Sequence, residues 1–326
     1  MKKAMQLIES SKSVLISGHL RADGDCLGAG IVMYYLCQAL GKQVEIILPD
    51  NPDSRYGFLE EKTPWKVWQG ELPTHDLFLI CDCNELSRLG AMGAVIAESE
   101  VPRLVLDHHP LPTDSEIWTA KIHDESAAAS GLLAFEFAKA MGVTLPEAAM
   151  EAAFVAIMTD TGWLKYSNAD SRAWNVAAEL VAGGVVADSV FQNIYQQVEA
   201  GRPKGIASVL AHTQYFEDGR FALAWATDKD LQTVQGELVD TDEILDILRS
   251  VKTVELVALL TERQGQAKLS LRSKSLIDVN QIARGLGGGG HVRAAGATLT
   301  DTEFDHALNR VREACVLAVQ QAAIKA

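Results

Sequence analysis

Five short segments place a carboxylate or an imidazole where an apolar run ends. They are ISGHLRADGDCLGAG (16–30), LFLICDCNELSRLG (77–90), LVLDHHP (104–110), FVAIMTDTGW (154–163) and GLGGGGH (285–291). The first four supply His19, Asp23, Asp25, Asp82, Asp107, His108, His109 and Asp160. This pattern constrains the fold. In an open α/β sheet, parallel strands deliver their C-terminal ends to one edge, where a site forms. Acidic groups gathered there need cations, because unpaired buried carboxylates are very costly. The pattern predicts a two-metal site.

Val14–Ser17, Val44–Leu48, Leu77–Cys81 and Leu104–Leu106 read as strands, and such unbroken apolar runs suit a sheet covered on both faces. Gly28–Leu40 reads as a helix stopped by Gly41, and Ser126–Met141 as one ending at Gly142. Pro146 opens an Ala-rich helix to about Thr159. The alternation predicts an α/β fold, a doubly wound and mainly parallel sheet, over residues 1–186. Residues 187–211 read as a helical linker interrupted by Gly201, Arg202 and Pro203. Strands at 220–227, 254–262 and 267–273, with helices at 244–249, 279–286 and 304–324, predict a smaller α+β domain over 212–326. A chain of 326 residues has room for two such cores.

The net charge of −14 argues against coating long nucleic acid, whose phosphates need Lys and Arg, but not against a small nucleotide held through metals. The five cysteines have no framework spacing and suggest a reducing cytoplasm. Cys81 and Cys83 form a C-x-C that reads better as strand-end packing than as a zinc site. No apolar stretch reaches the roughly 18–20 residues of a membrane span, and the N-terminal segment has no signal-peptide core.

His19, Asp23 and Asp25 follow a strand as H-x-x-x-D-x-D, a spacing that can present three side chains to one point. Gly24 would allow a tight bend between the aspartates. The competing reading is a polar turn capping the next helix. Asp82 adds a carboxylate at the end of a second strand. Adjacent His108 and His109 beside Asp107 suit one metal ligand plus one neighbour that either meets the substrate or supports a ligand from behind.

With these motifs together, the chain resembles the DHH-family phosphoesterases with their usual associated C-terminal domain. GHLRADGD, DCNELSR, DHHP and TDTGW carry the resemblance in the first domain, RSK (272–274) and GLGGGGHVRAAGA (285–297) in the second. The likeness is greatest to the bacterial branch that degrades short oligoribonucleotides and dephosphorylates 3′-phosphoadenosine 5′-phosphate (pAp). It implies that His19, Asp23 and Asp82 bind one metal, and that Asp25, Asp82, His108 and Asp160 bind the other, with Asp82 bridging. Asp107 would orient the histidines and His109 would face the phosphate. Arg88, six residues after Asp82, would either contact the phosphate or pair with a carboxylate. Oxygen-rich ligation with a few imidazoles suits Mn²⁺, with Mg²⁺ or Co²⁺ as substitutes. Such a pair of ions would turn a bridging water into the nucleophile near neutral pH.

The second domain would supply substrate contacts. Between Glu262 and Arg293 lie six basic residues (Arg263, Lys268, Arg272, Lys274, Arg284, Arg293) and two acidic ones (Glu262, Asp278). Gly287, Gly288, Gly289 and Gly290 are costly to order, and their N–H groups can approach a phosphate or base closely. His291 and Arg293 would add charge-assisted contacts, beside Arg272 and Ser273. The expected partners are short oligoribonucleotides or small nucleotides, with no long duplex nucleic acid and no membrane; a homodimer is compatible. Two alternatives stand beside this reading. One is cleavage of linear or cyclic dinucleotides, or of polyphosphate or pyrophosphate; the other is a non-catalytic nucleotide-binding module, which would have lost ligands.

Overall fold

Short Val-, Ile- and Leu-rich runs become strands, and the Gly- and Ala-rich stretches between them become helices, in the computed structural model. It describes residues 1–111, 117–235, 241–263, 265–274, 277–300 and 303–325; the side chain of Arg263, counted above, lies outside the described residues. The chain divides into two compact units, Met1–Gln197 and Val198–Ala326.

The first unit runs α1 (Lys2–Ser10), β1 (Ser13–Ser17), α2 (Gly24–Ala39), β2 (Gln43–Leu48), α3 (Gly57–Glu60), β3 (Lys66–Val67), β4 (Leu77–Cys81), α4 (Gly90–Glu98), β5 (Arg103–Asp107), β6 (Ala120–His123), α5 (Ser130–Ala140), α6 (Glu147–Asp160), α7 (Ser171–Ala182) and α8 (Ala187–Tyr195). Its six strands lie in the order β3-β2-β1-β4-β5-β6, every pair parallel. This is the expected doubly wound sheet. Successive strand residues alternate between its faces. Val14 and Ile16 enter the larger core with α2, α5 and α6, while Leu15 enters the smaller core with Leu89, Met92 and Ile96 around α4. The strand order reverses between β1 and β4, and the crevice outside that point is where such sheets bind ligands.

Helices α2, α5 and α6 approach to backbone contact. A Cβ added at Gly28 would collide with the Ala152 carbonyl, and one at Gly131 with Ala156. This closeness brings the start of α2, the start of α5 and the end of α6 together at the crevice.

The second unit runs α9 (Gly201–Ala211), β7 (Gln214–Phe216), β8 (Phe221–Ala226), α10 (Asp228–Thr233), α11 (Asp242–Arg249), β9 (Leu256–Arg263), β10 (Gln266–Ser273), α12 (Val279–Gly285), β11 (Gly289–Gly290), β12 (Ala294–Leu299) and α13 (Phe304–Lys325). Its sheet order is β11-β12-β10-β9-β8-β7, antiparallel except for the β8–β9 pair. One face packs on α12 and α13, the other on α9 and α11. The stretch expected as a linker is two helices: α8 lies in the first unit and α9 in the second. Among the described residues, no single helix is long and apolar enough to cross a membrane.

Candidate metal centre

The loop after β1 does two jobs. Asp23 caps α2, its Oδ1 accepting from the N–H groups of Asp25 (3.1 Å) and Cys26 (3.0 Å), while its side chain stays 55% exposed. The turn reading and the ligand reading are therefore compatible. Gly24 makes no left-handed bend; it opens α2, and glycine is required because a Cβ there would come within 2.5 Å of Thr159 Oγ1. At the end of β4, Asp82 turns into the left-handed region at φ 55°, which Asp tolerates better than most residues. Asp107 ends β5, and Asp160 ends α6.

Three overlapping sets of donor atoms result: His19, Asp23 and Asp82; Asp25, His108 and Asp160; and Asp82, His108 and His109. His19 Nε2 lies 3.4 Å from Asp82 Oδ2 and 3.8 Å from Asp23 Oδ1. His108 Nε2 lies 3.6 Å from Asp25 Oδ2 and 3.7 Å from both Asp82 Oδ1 and Asp160 Oδ2. His109 Nδ1 donates to Asp107 Oδ1 at 2.8 Å and lies 3.5 Å from Asp82 Oδ1. The Asn84 amide, in turn, donates to the His109 carbonyl at 3.3 Å.

The charges are heavily perturbed. Burial works against a charged His19, but the carboxylates of Asp23 and Asp82 and the Leu20 carbonyl outweigh it and raise its pKa to about 10. Burial, then the charges of Asp82, Asp160 and Asp23, push Asp25 well above the carboxylate range. Asp160 rises to about 6, first from burial, with His108 opposing and Asp82 and Asp23 adding. Asp107 goes the other way: burial is overcome by donors from the His109 ring and backbone. The same bond to Asp107 raises His109.

These residues fit divalent ions. Each of His19 and His108 turns Nδ1 to a backbone carbonyl, Leu20 at 2.9 Å and Ala127 at 3.0 Å. That is how metal-ligating histidines are usually oriented. Their buried Nε2 atoms have no hydrogen-bond partner, an arrangement that is rare unless something else occupies the position. Burial and mutual repulsion push Asp25 and Asp160 toward protonation, and a divalent ion would relieve the same repulsion.

Arg88 is exposed on the turn Leu86–Leu89, where its charge opposes protonation of His109. In the second unit, the Arg272 guanidinium is paired with Asp242 at 2.6 Å, and Ser273 is buried with an unpartnered Oγ. The glycine run has a backbone reason of its own. A Cβ at Gly288 would collide with the Gly296 carbonyl, and one at Gly290 would come within 2.6 Å of Ala295 Cα as β11 lies on β12. Gly287 takes φ +84°. His291 and Arg293 are exposed just beyond.

Sequence reading missed Ser130 and Gly131. Their N–H groups donate to Asp25 Oδ2 and Oδ1, each at 2.7 Å, and Ser130 Oγ donates to Asp82 Oδ1 at 2.9 Å. The signal was a Ser-Gly pair opening a helix, hidden because the preceding alanines extend the helical pattern; Ala129 is in fact extended (φ −163°, ψ 151°). It also missed Asn168, whose amide donates to the Asp160 carbonyl at 3.1 Å.

The strand-order reversal gathers aspartates and imidazoles that could hold a metal ion, and comparison with known proteins points to hydrolases. The DHH family N-terminal domain matches residues 13–158 and the DHHA1 domain matches residues 234–317. The chain therefore carries a DHH domain followed by a DHHA1 domain. It is 28% identical over 302 residues to the bifunctional oligoribonuclease and PAP phosphatase NrnA of Thermus thermophilus, covering 92% of this chain and 88% of that one. It is 24% identical to the protein of the same name from Mycoplasma pneumoniae, over 91% and 90% of the two chains. Among solved structures, an exopolyphosphatase-related protein from Bacteroides fragilis superposes with a TM-score of 0.87 at 22% identity, covering 96% of this chain and 94% of that one.

Proposed function

We propose that this chain hydrolyses phosphoester bonds in short oligoribonucleotides, as an exonuclease, and in pAp. The reading assigns it two divalent ions, Mn²⁺ first, with Mg²⁺ or Co²⁺ as substitutes, and a cytoplasmic location. The observation that carries it is the convergence of three donor sets, sharing Asp82 and His108, on one crevice. The likeness to bifunctional oligoribonucleases along nine-tenths of the chain supports the substrate class.

His19, Asp23 and Asp82 would hold one ion; Asp25, Asp82, His108 and Asp160 the other. When bound, two such ions neutralise charge on phosphoryl oxygens and activate water near neutral pH. The chain's own residues do the rest. Ser130 and Gly131 fix Asp25, and Asp107 holds His109 by Nδ1, leaving Nε2 of a protonation-prone ring to donate to a phosphoryl oxygen. Arg88 adds positive charge on the same side. In the second unit, Arg272, Ser273, Gly287–Gly290, His291 and Arg293 contribute substrate affinity, Arg272 by exchanging Asp242 for a phosphate.

The test is a panel on purified protein with Mn²⁺: pAp, a dinucleotide, a short RNA oligomer, a cyclic dinucleotide and pyrophosphate. Turnover of pAp and the short RNAs is expected, with mononucleotides released from an end. Preference for pyrophosphate or the cyclic dinucleotide, or early internal cuts, would overturn this reading.

A further inference from the structure

The carboxylates of the site differ in exposure. Asp25 and Asp82 are enclosed, with side chains 1% and 3% exposed, whereas those of Asp23 and Asp160 are 55% and 31% exposed. An aromatic cluster begins three residues beyond Asp160. The chain leaves Asp160 through Gly162, Trp163 and Leu164, all left-handed at φ 56°, 62° and 61°. A tryptophan held there is unusual and points to a functional constraint. The loop then returns to its start through the bonds from Asn168 to the carbonyls of Asp160 and Ala128. Trp163 meets Phe154 (5.9 Å), Phe191 (5.0 Å) and Tyr195 (5.8 Å) edge to face. Tyr195 lies over Phe191 at 5.1 Å and 36°, and 40% of it remains exposed. The same helix, α8, packs against the turn Ser54–Tyr56, and Tyr56 is close enough to Asp23, Gly24 and Tyr195 to feel all three.

We infer that Trp163 and Tyr195 form a ledge on which a nucleobase of the substrate stacks while its phosphate lies at the acidic cluster. Trp163 and Phe191 support the Tyr195 ring from within, and Tyr195 is the most exposed ring of the cluster. A supported ring beside a phosphoester site is a sequence-tolerant base platform, since every base has a π-face. A paired base has both faces covered by its neighbours, so the ledge admits single-stranded ends. This inference rests on the proposed nucleotide chemistry of the same site.

The experiment compares Tyr195→Ala and Tyr195→Phe with the parent protein. It measures AMP affinity by calorimetry without turnover, and kcat/KM with Mn²⁺ on an RNA dinucleotide and its counterpart lacking the terminal base. Loss of stacking should weaken AMP binding and lower dinucleotide kcat/KM roughly five- to hundredfold, mainly through KM. Tyr195→Phe should retain both, and the abasic substrate should lose far less. Unchanged AMP affinity in Tyr195→Ala, or equal losses on both substrates, overturns the ledge. A parent protein that turns over no nucleotide overturns the substrate reading instead, and AMP affinity still decides the ledge.

Discussion

Ser130 grips Asp25 from the first turn of α5, its N–H donating to Oδ2 at 2.7 Å. Its hydroxyl simultaneously orients Asp82 at 2.9 Å. Ser130→Ala keeps the first bond and removes the second. Groups that orient ligands in this way typically account for about 10–100-fold in metal affinity or activity. Mn²⁺ titration should show a loss of that order with little change in thermal stability; an unchanged affinity would remove Ser130 from the site.

Asp82 belongs to two of the three donor sets. If it bridges, Asp82→Ala weakens both ions rather than one. Elemental analysis of protein loaded with excess Mn²⁺ should fall from two ions per chain toward none, with activity abolished. One ion retained at full occupancy would show that the sites are independent.

Metal-free protein should lose stability as pH rises. His19 titrates at about 10, above its usual value of 6.5, so its contribution is present below neutral pH and lost through about 10. Asp25 and Asp160 are also raised, the latter to about 6, so folding favours their protonated forms and their contribution disappears as pH rises through those values. Divalent ions displace the same protons. Calorimetry of Mn²⁺ binding in buffers of different ionisation enthalpy should therefore register proton release near neutral pH. Binding without it would contradict these ionisation states.

In the second unit, two substitutions three residues apart should behave differently. His291→Ala removes an exposed imidazole: both ions stay, and kcat/KM falls about ten- to hundredfold, the worth of a charged contact to phosphate at roughly 1.5–3 kcal/mol. Gly288→Ala drives a methyl into the Gly296 carbonyl. It should destabilise the unit by about 1–3 kcal/mol, as overpacking does, seen as a lower denaturant midpoint. A lost ion in His291→Ala would instead tie that loop to the metal centre.

Much of the first unit was legible because its signals are local. Leu77–Cys81 is a strand over the span its apolar run marks, and Gly41 and Gly142 end their helices with φ +73° and +72°. The gathering of His19, Asp25, Asp82 and His108 also followed from strand ends meeting at one edge, while Asp160 comes to it from the end of α6. What stayed hidden depends on contacts distant in sequence. Gly24 looked like a bend, yet it answers to Thr159 on another helix. Gly288 and Gly290 looked like bare phosphate contacts, yet β12 also needs them bare. Ser130 reaches Asp25 across 105 positions, a relationship that no local pattern encodes.

The strand order β3-β2-β1-β4-β5-β6 divides the first unit into two halves that meet at the β1–β4 seam. His19, Asp23 and Asp25 belong to one half, and Asp82, Asp107, His108 and His109 to the other, with Asp160 arriving on a later helix. Two of the three donor sets draw residues from both sides of the seam, while Asp82, His108 and His109 lie on one side of it. An ion held by either of the first two sets would be a clasp across the seam, one that only a chain with the seam closed could grip.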